Sequence, residues 1–317
     1  MDMTTHSPKG QGVAGGRSDA RETEWRLDRY AGLEGWAVEE ALGALQEGQM
    51  RAVAALLPAM DQLTVAVTAA IETLRGGKGR LVYAGAGTSG RLALLDGTEL
   101  GPTFGWPDER LVFLMAGGEA AAAKAEEGAE DDEDAGREGI ARHQIGAGDV
   151  VLGVAASGTT RYTRALIIAA RGAGATTVGL ANNPGAPLLT DAEYGVLLRT
   201  GPEVLAGSTR LGAGTAQKAA LNMFSTALMI GLKKVHLGYM VDMLPTNEKL
   251  RQRAAGMVAD IAGCDLAAAG AALARSGDRI KPAVMIAAGA EPAEAEALLG
   301  QAEDDLGAAL AAFRAAR

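Results

Sequence analysis

The run Gly85-Ala86-Gly87-Thr88-Ser89-Gly90-Arg91 puts two hydroxyls inside a glycine turn. It follows the apolar Leu81-Val82-Tyr83-Ala84 and leads into Leu92-Ala93-Leu94-Leu95, the pattern of a strand, a tight turn and a helix start. A helix N-terminus presents unpaired N–H groups and a partial positive charge, so it draws anions. The spacing is a literal G-x-G-x-x-G, which fits a dinucleotide, while Thr88 and Ser89 fit a small phosphorylated ligand. Ala156-Ser157-Gly158-Thr159-Thr160 ends a second apolar run and forms another backbone-and-hydroxyl cradle. Gly207-Ser208-Thr209-Arg210 precedes a long helical pattern and adds a guanidinium. Asp96-Gly97-Thr98-Glu99, with Gly101-Pro102-Thr103 after it, reads as a fourth turn. Ser and Thr also cap helices without binding anything. Several such loops around one sheet nevertheless favour a phosphosugar over a dinucleotide. The latter needs one glycine turn and an acid at the end of the next strand, near Glu119, and leaves the other hydroxyl loops unused.

Two carboxylates stand apart from the rest. Glu99 lies among Gly97, Thr98, Gly101 and Pro102, in a connection rather than on a plain helix face. Glu130 belongs to the acidic run 126–134, most of which reads as a solvated helix surface. Gly128 is costly in a purely solvating helix. It suggests close approach of a neighbour there, with Glu130 reaching inward. His143 and His236 are isolated and make no metal-ligand pattern. Trp106 and Cys264 read as packing residues.

The elements that must position these groups follow from periodicity. Residues 37–57 repeat at helical spacing, Pro58 interrupts, and a second helical pattern runs through Leu63, Val67, Ala70 and Leu74. Five strand-length apolar runs follow: Arg80–Ala86, Leu111–Ala116, Val150–Ala156, Thr176–Ala181 and Tyr194–Arg199. Such runs alternating with helices predict a doubly wound five-stranded parallel sheet of the α/β class, with ligands outside the strand carboxyl ends. A long helix is expected over about Ala213 to Val235, and Ala-rich helices with regular glycines fill the chain beyond Arg251. The expected division is a disordered tail over 1–21, N-terminal helices over 22–76, a phosphosugar-binding domain over 77–240 and a small helical domain over 251–317.

Bulk properties narrow the classes. The 317 residues are 48% hydrophobic and 22% charged, as a globular chain should be, and carry a net charge of −9. No basic stripe is available to displace counterions, so nucleic acid is not an expected partner. One cysteine excludes an internal disulfide framework and fits a cytoplasmic setting. The apolar helical stretch Met223 to Leu232 is too short to span a membrane, so no membrane partner is expected.

Six ordered blocks then resemble one family. They are GAGTSGRLALLDGTELGPTFGW (85–106), AEEGAEDD (125–132), GVAASGTTRY (153–162), ANNPGAPL (181–188), AGSTRLGAGTAQKAALNMFSTALM (206–229) and MVDMLPTNEKL (240–250). Together they resemble the N-acetylmuramic acid 6-phosphate etherases, of the sugar isomerase (SIS) superfamily, over roughly residues 22 to 310. The resemblance implies cleavage of the D-lactyl ether of N-acetylmuramic acid 6-phosphate. The implied products, in cell-wall amino-sugar recycling, are N-acetylglucosamine 6-phosphate and D-lactate. It also implies a homodimer with its site near the subunit interface, no cofactor and no metal. Carried onto this chain, it assigns Glu99 as general acid and Glu130 as general base. The loops read above give the expected substrate-binding residues: Thr88, Ser89, Gly90, Ser157, Gly158, Thr159, Thr160, Ser208, Thr209 and Arg210. An ether leaves poorly at neutral pH, so the departing lactate oxygen needs a proton while the proton alpha to the open-chain aldehyde is removed. Keeping one carboxyl protonated near neutrality requires burial or a neighbouring carboxylate.

This chain departs from the family pattern at several places. Gly97-Thr98-Glu99-Leu100-Gly101 replaces a common A-S-E-C-P. Thr159 and Arg161 stand where R and P are common, and Gly212 stands where K is common. Arg161 is the candidate to restore a lost cation at the sugar phosphate. A non-catalytic phosphosugar sensor of the same superfamily is the main alternative, which retention of both glutamates disfavours. An aldose–ketose phosphate isomerase comes next and a dinucleotide oxidoreductase last.

Overall fold

The computed structural model describes residues 21–317 apart from 123, 125 and 127. The disordered tail expected over 1–21 therefore lies, except for Arg21, outside the described residues. Short 3-10 turns at Glu22–Glu24, Asp28–Tyr30 and Leu33–Gly35 lead into α1 (Val38–Ala54) and α2 (Met60–Leu74). Pro58 sits at the start of a 3-10 turn between these two helices, where its missing N–H costs little. The longest apolar helical stretch is consequently Val38–Leu74, long and apolar enough by those criteria alone to cross a membrane. It is not the Met223–Leu232 segment expected above. Ala52, Leu63, Ala66, Ala70 and Leu74 of this stretch are buried in the core.

The strands fall where the apolar runs predict them: β1 (Leu81–Gly85), β2 (Leu111–Met115), β3 (Val150–Val154), β4 (Thr176–Ala181) and β5 (Tyr194–Leu197). They form one parallel sheet in the order β2-β1-β3-β4-β5. Between and after them lie α3 (Gly87–Thr98), α4 (Leu100–Phe104), α5 (Glu133–Arg142), α6 (Arg161–Gly172), α7 (Leu188–Asp191) and α8 (Gly212–Gly231). On one face, Leu81, Tyr83, Val150, Leu152, Val178 and Leu180 pack against α2, α3 and α8. On the other, Val82, Ala84, Val112, Leu114 and Val151 meet α5, α6 and α7. Burial on both faces is why the strands lack polar alternation.

A two-residue ribbon, β6 (Val235–His236) with β7 (Tyr239–Met240), follows α8. The helix stops at Gly231, short of the expected Val235, because Lys233 takes a positive φ of 65° and reverses the chain. The chain ends in α9 (Glu248–Ala262), α10 (Leu266–Ser276), α11 (Ile280–Ala287), α12 (Pro292–Gln301) and α13 (Leu306–Ala315). These helices share their own apolar cluster around Met257, Ile280, Val284, Leu299 and Phe313.

Candidate active site

The strand order reverses at β1, whose neighbours are β2 on one side and β3 on the other. Loops leaving the carboxyl ends of β1 and β3 therefore diverge to opposite faces and leave a crevice, where ligands of open parallel sheets bind. A cleft of about 320 Å3 lies there. Gly87, Thr88 and Ser89 line it from the first turn of α3, and Ser157, Thr159 and Thr160 from the β3–α6 loop. Thr209, Glu130 and Asp131 complete the wall, together with Arg21 and Glu24 from the N-terminal segment.

The α3 cradle depends on glycine. A Cβ on Gly90 would stand 2.8 Å from the backbone of Gly85, and one on Gly85 would stand 2.9 Å from Gly90. Only two glycines let the helix start this close to the end of β1. Gly90 thus shapes the cradle from behind and does not line it. Ser89 is buried at the helix N-terminus and Thr88 half-buried beside it. In the second loop Ser157 Oγ accepts the Thr159 N–H at 3.1 Å and lies 3.5 Å from Thr160 Oγ1. Gly158 is a buried turn residue, donating its N–H to Ala155 and accepting from Leu188.

A third helix N-terminus nearby is already filled. Buried Glu203 accepts the N–H groups of Gly212 and Ala213, each at 2.8 Å, at the start of α8. Burial pushes the Glu203 carboxyl up, against the opposing pull of those two N–H groups. With its own carboxylate on α8, the protein leaves the α3 N-terminus and the β3–α6 loop for an external anion.

Of the two expected carboxylates, Glu130 joins the cleft and Glu99 does not. Glu130 sits in a 3-10 turn, Ala129–Asp131, which Gly128 enters with φ 76°. A Cβ on Gly128 would meet nothing within 4 Å, so Gly128 serves a left-handed backbone and not the close approach expected of it. Asp96, Gly97 and Thr98 are the last turn of α3 and not the turn expected from their composition. Glu99 caps that end, exposed, ten residues beyond Ser89 of the cradle. At 1.5 Å per residue that is about 15 Å along the helix, and Glu99 does not line the cleft that holds Glu130. Asp96, 2% exposed, faces inward. It accepts from Tyr83 Oη at 2.9 Å and Asn222 Nδ2 at 2.6 Å, with Lys218 Nζ at 3.6 Å, and so pins α3 to α8.

Ser208 and Arg210 belong to the turn before α8 but do not line the cleft with Thr209. Arg161, expected to restore a cation, is the exposed first residue of α6 and faces a separate groove with Glu133, Arg137 and Arg164. Arg21 and Glu24 escape a reading based on periodicity, because one precedes and the other ends a single 3-10 turn. No cluster of His, Cys, Asp and Glu among the described residues could hold a metal ion. Trp106 is buried, its indole N–H donating to Arg110 O at 3.0 Å, as expected of a packing residue.

The model of the glucokinase regulatory protein N-terminal SIS domain matches residues 62–170, and that of the SIS domain matches residues 132–227. A Deinococcus radiodurans N-acetylmuramic acid 6-phosphate etherase is 52% identical over 85% of this chain and 88% of its own length. The Mycolicibacterium smegmatis protein of that name is 42% identical over 92% of this chain and 98% of its own. Among solved structures, a phosphoheptose isomerase from Francisella tularensis aligns with TM-score 0.42 and 13% identity, over 63% of this chain and 100% of that one.

Proposed function

The chain belongs to the N-acetylmuramic acid 6-phosphate etherase family, and on that premise we propose how its cleft performs the reaction. The enzyme splits the D-lactyl ether of N-acetylmuramic acid 6-phosphate into N-acetylglucosamine 6-phosphate and D-lactate. The phosphate docks on the first turn of α3, where Thr88 and Ser89 supply hydroxyls and the helix supplies N–H groups. Ser157, Thr159, Thr160 and Thr209 bind sugar hydroxyls. Gly90 and Gly158 hold the two loops close, and Ser208 and Arg210 support the Thr209 turn.

In the open-chain sugar, the Glu130 carboxylate takes the C2 proton. The electron pair forms C2=C3 as the C3–O bond breaks, and Glu99 protonates the departing lactate oxygen. Water then adds at C3 and a proton returns to C2, restoring the sugar. One observation carries this reading: Glu130 shares the hydroxyl-lined cleft at the β1/β3 crevice. A general acid working near neutrality needs shelter from water, and Glu99 in the single chain is exposed. We therefore read the enzyme as a homodimer in which Glu99 of one copy reaches the cleft of the other. The exposed apolar side chains Val38, Leu42, Met50, Val53 and Leu57 of the N-terminal helices support such an assembly. The C-terminal helices read as a separate small domain, and the single cysteine fits a cytoplasmic enzyme.

The test is turnover of N-acetylmuramic acid 6-phosphate in heavy water, followed by NMR, with Glu99→Ala and Glu130→Ala alongside. Lactate release with deuterium at C2 is expected for the wild type and lost in both variants. Residual C2 exchange in Glu99→Ala but not in Glu130→Ala assigns acid and base. Sugar-phosphate binding without turnover in the wild type would overturn the scheme in favour of a sensor.

A further inference from the structure

The N-terminal segment before α1 is nailed across the carboxyl end of the sheet. Glu22, 8% exposed, is held by Arg199 beyond β5, whose Nε and Nη2 donate at 3.0 and 2.6 Å. Thr23 is fully buried. Its N–H donates to Asn183 Oδ1 at 3.2 Å, and Asn183 Nδ2 in turn donates to Thr23 Oγ1 at 3.1 Å and Ala156 O at 3.0 Å. The Gly207 N–H donates to Thr23 O at 2.9 Å. Three anchors on two loops, Asn183 after β4 and Arg199 and Gly207 in the connection from β5 to α8, are far more than a three-residue turn needs to stay folded. They fix the position of the next residue, Glu24.

Glu24 is half-buried and lines the cleft with Ser89, Ser157 and Thr209. Among the described residues nothing donates a hydrogen bond to its carboxylate or pairs with it as an ion. The carboxylate lies over the Gly207 turn, so close that a Cβ on Gly207 would stand 2.8 Å from Glu24 Oε2. A rigidly held acceptor without a donor, facing a cleft full of hydroxyls, suits a ligand that brings donors of its own.

We infer that Glu24 is a specificity-determining residue that accepts hydrogen bonds from hydroxyl or amide N–H groups of the sugar phosphate in this cleft. The inference rests on the cleft being the substrate site. The same negative charge repels phosphate, so it also orients the ligand with its phosphate on the α3 turn and its donor-rich carbons toward the N-terminal segment.

The experiment is calorimetric titration of the full-length enzyme with the product N-acetylglucosamine 6-phosphate and, separately, with inorganic phosphate. It compares wild type, Glu24→Ala, Glu24→Gln and Gly207→Ala, with Ser89→Ala as the marker of the phosphate subsite. Glu24→Ala is expected to weaken sugar-phosphate binding about tenfold, since a hydrogen bond to a charged acceptor has that worth, while inorganic phosphate, freed of the repelling charge, binds at least as tightly as in the wild type. Glu24→Gln, which keeps one acceptor oxygen, should recover part of the loss. Gly207→Ala, which crowds Glu24 without removing it, should share the loss. Unchanged sugar-phosphate affinity in folded Glu24→Ala would overturn the assignment. So would parallel loss of both ligands, which marks a structural role. If Ser89→Ala leaves both ligands bound, the cleft itself is not the substrate site, an outcome separate from any result at Glu24.

Discussion

Ser89 shows how much one residue of the α3 turn is asked to do. It is 8% exposed in the first turn of α3, where the leading N–H groups of a helix lack intrahelical partners. With phosphate docked as proposed, removing the Ser89 hydroxyl costs it one hydrogen bond and leaves the backbone cradle intact. Ser89→Ala is therefore expected to raise KM about tenfold with a smaller change in kcat, measured by lactate release. A loss confined to kcat would place the phosphate elsewhere. Glu24, Glu130 and Asp131 bring negative charge to the same cleft, and Arg21 a positive one.

At the scale of elements, the register of the sheet decides whether β1 and β3 present their loops side by side. Arg80 and Asp149 hold the opposite end of that pair. Asp149 accepts the backbone N–H groups of Arg80 at 2.9 Å and Gly146 at 3.0 Å, and pairs with Arg80 Nη2 at 2.7 Å. Burial works against its charge, but the Arg80 guanidinium and the two N–H groups prevail and hold its carboxyl below the ordinary aspartate value of 3.8. A depressed folded value means the contribution is complete above 3.8 and disappears as pH falls through the lower folded value. Asp149→Asn is thus expected to lose about 3 kcal/mol of stability at neutral pH, since it leaves Arg80 half-buried without its charge partner. Chemical denaturation at several pH values checks this: the gap between wild type and variant should close in acid. The variant, distant from the cleft, should keep its KM while folded.

For the whole molecule the decisive quantity is the separation along α3. One end of this helix lines the cleft with Thr88 and Ser89 and the other carries Glu99. The helix is stiff, and Asp96 clamps it to α8, so no modest motion within a protomer joins the two ends. Mixing Glu99→Ala chains with Glu130→Ala chains tests the shared site directly. Each mixed dimer holds one cleft with an intact Glu130 and a Glu99 donated by the other copy. Random pairing should then restore about a quarter of wild-type activity from two inactive proteins. Mixed dimers that form without regaining activity would place both glutamates in one chain.

Much of this was readable in the residues themselves. Continuous apolar runs could only be strands buried on both faces, and glycines with hydroxyls after two of them could only be loops at the carboxyl edge. The fold, the Thr88–Ser89 turn and the Ser157–Thr160 loop follow from such local rules. Tertiary structure decided the rest. Composition made Asp96–Glu99 look like a turn, but burial of Asp96 against Tyr83 and Asn222 keeps it helical and sends Glu99 outward. Arg161 looked like a replacement cation until the start of α6 turned it toward another groove. Glu24 had no pattern to announce it, because the bonds that place it run to Asn183, Arg199 and Gly207, more than 150 residues away in the chain. Periodicity reports which face of an element is apolar; which distant loops meet around a cleft is set only when the sheet closes its order.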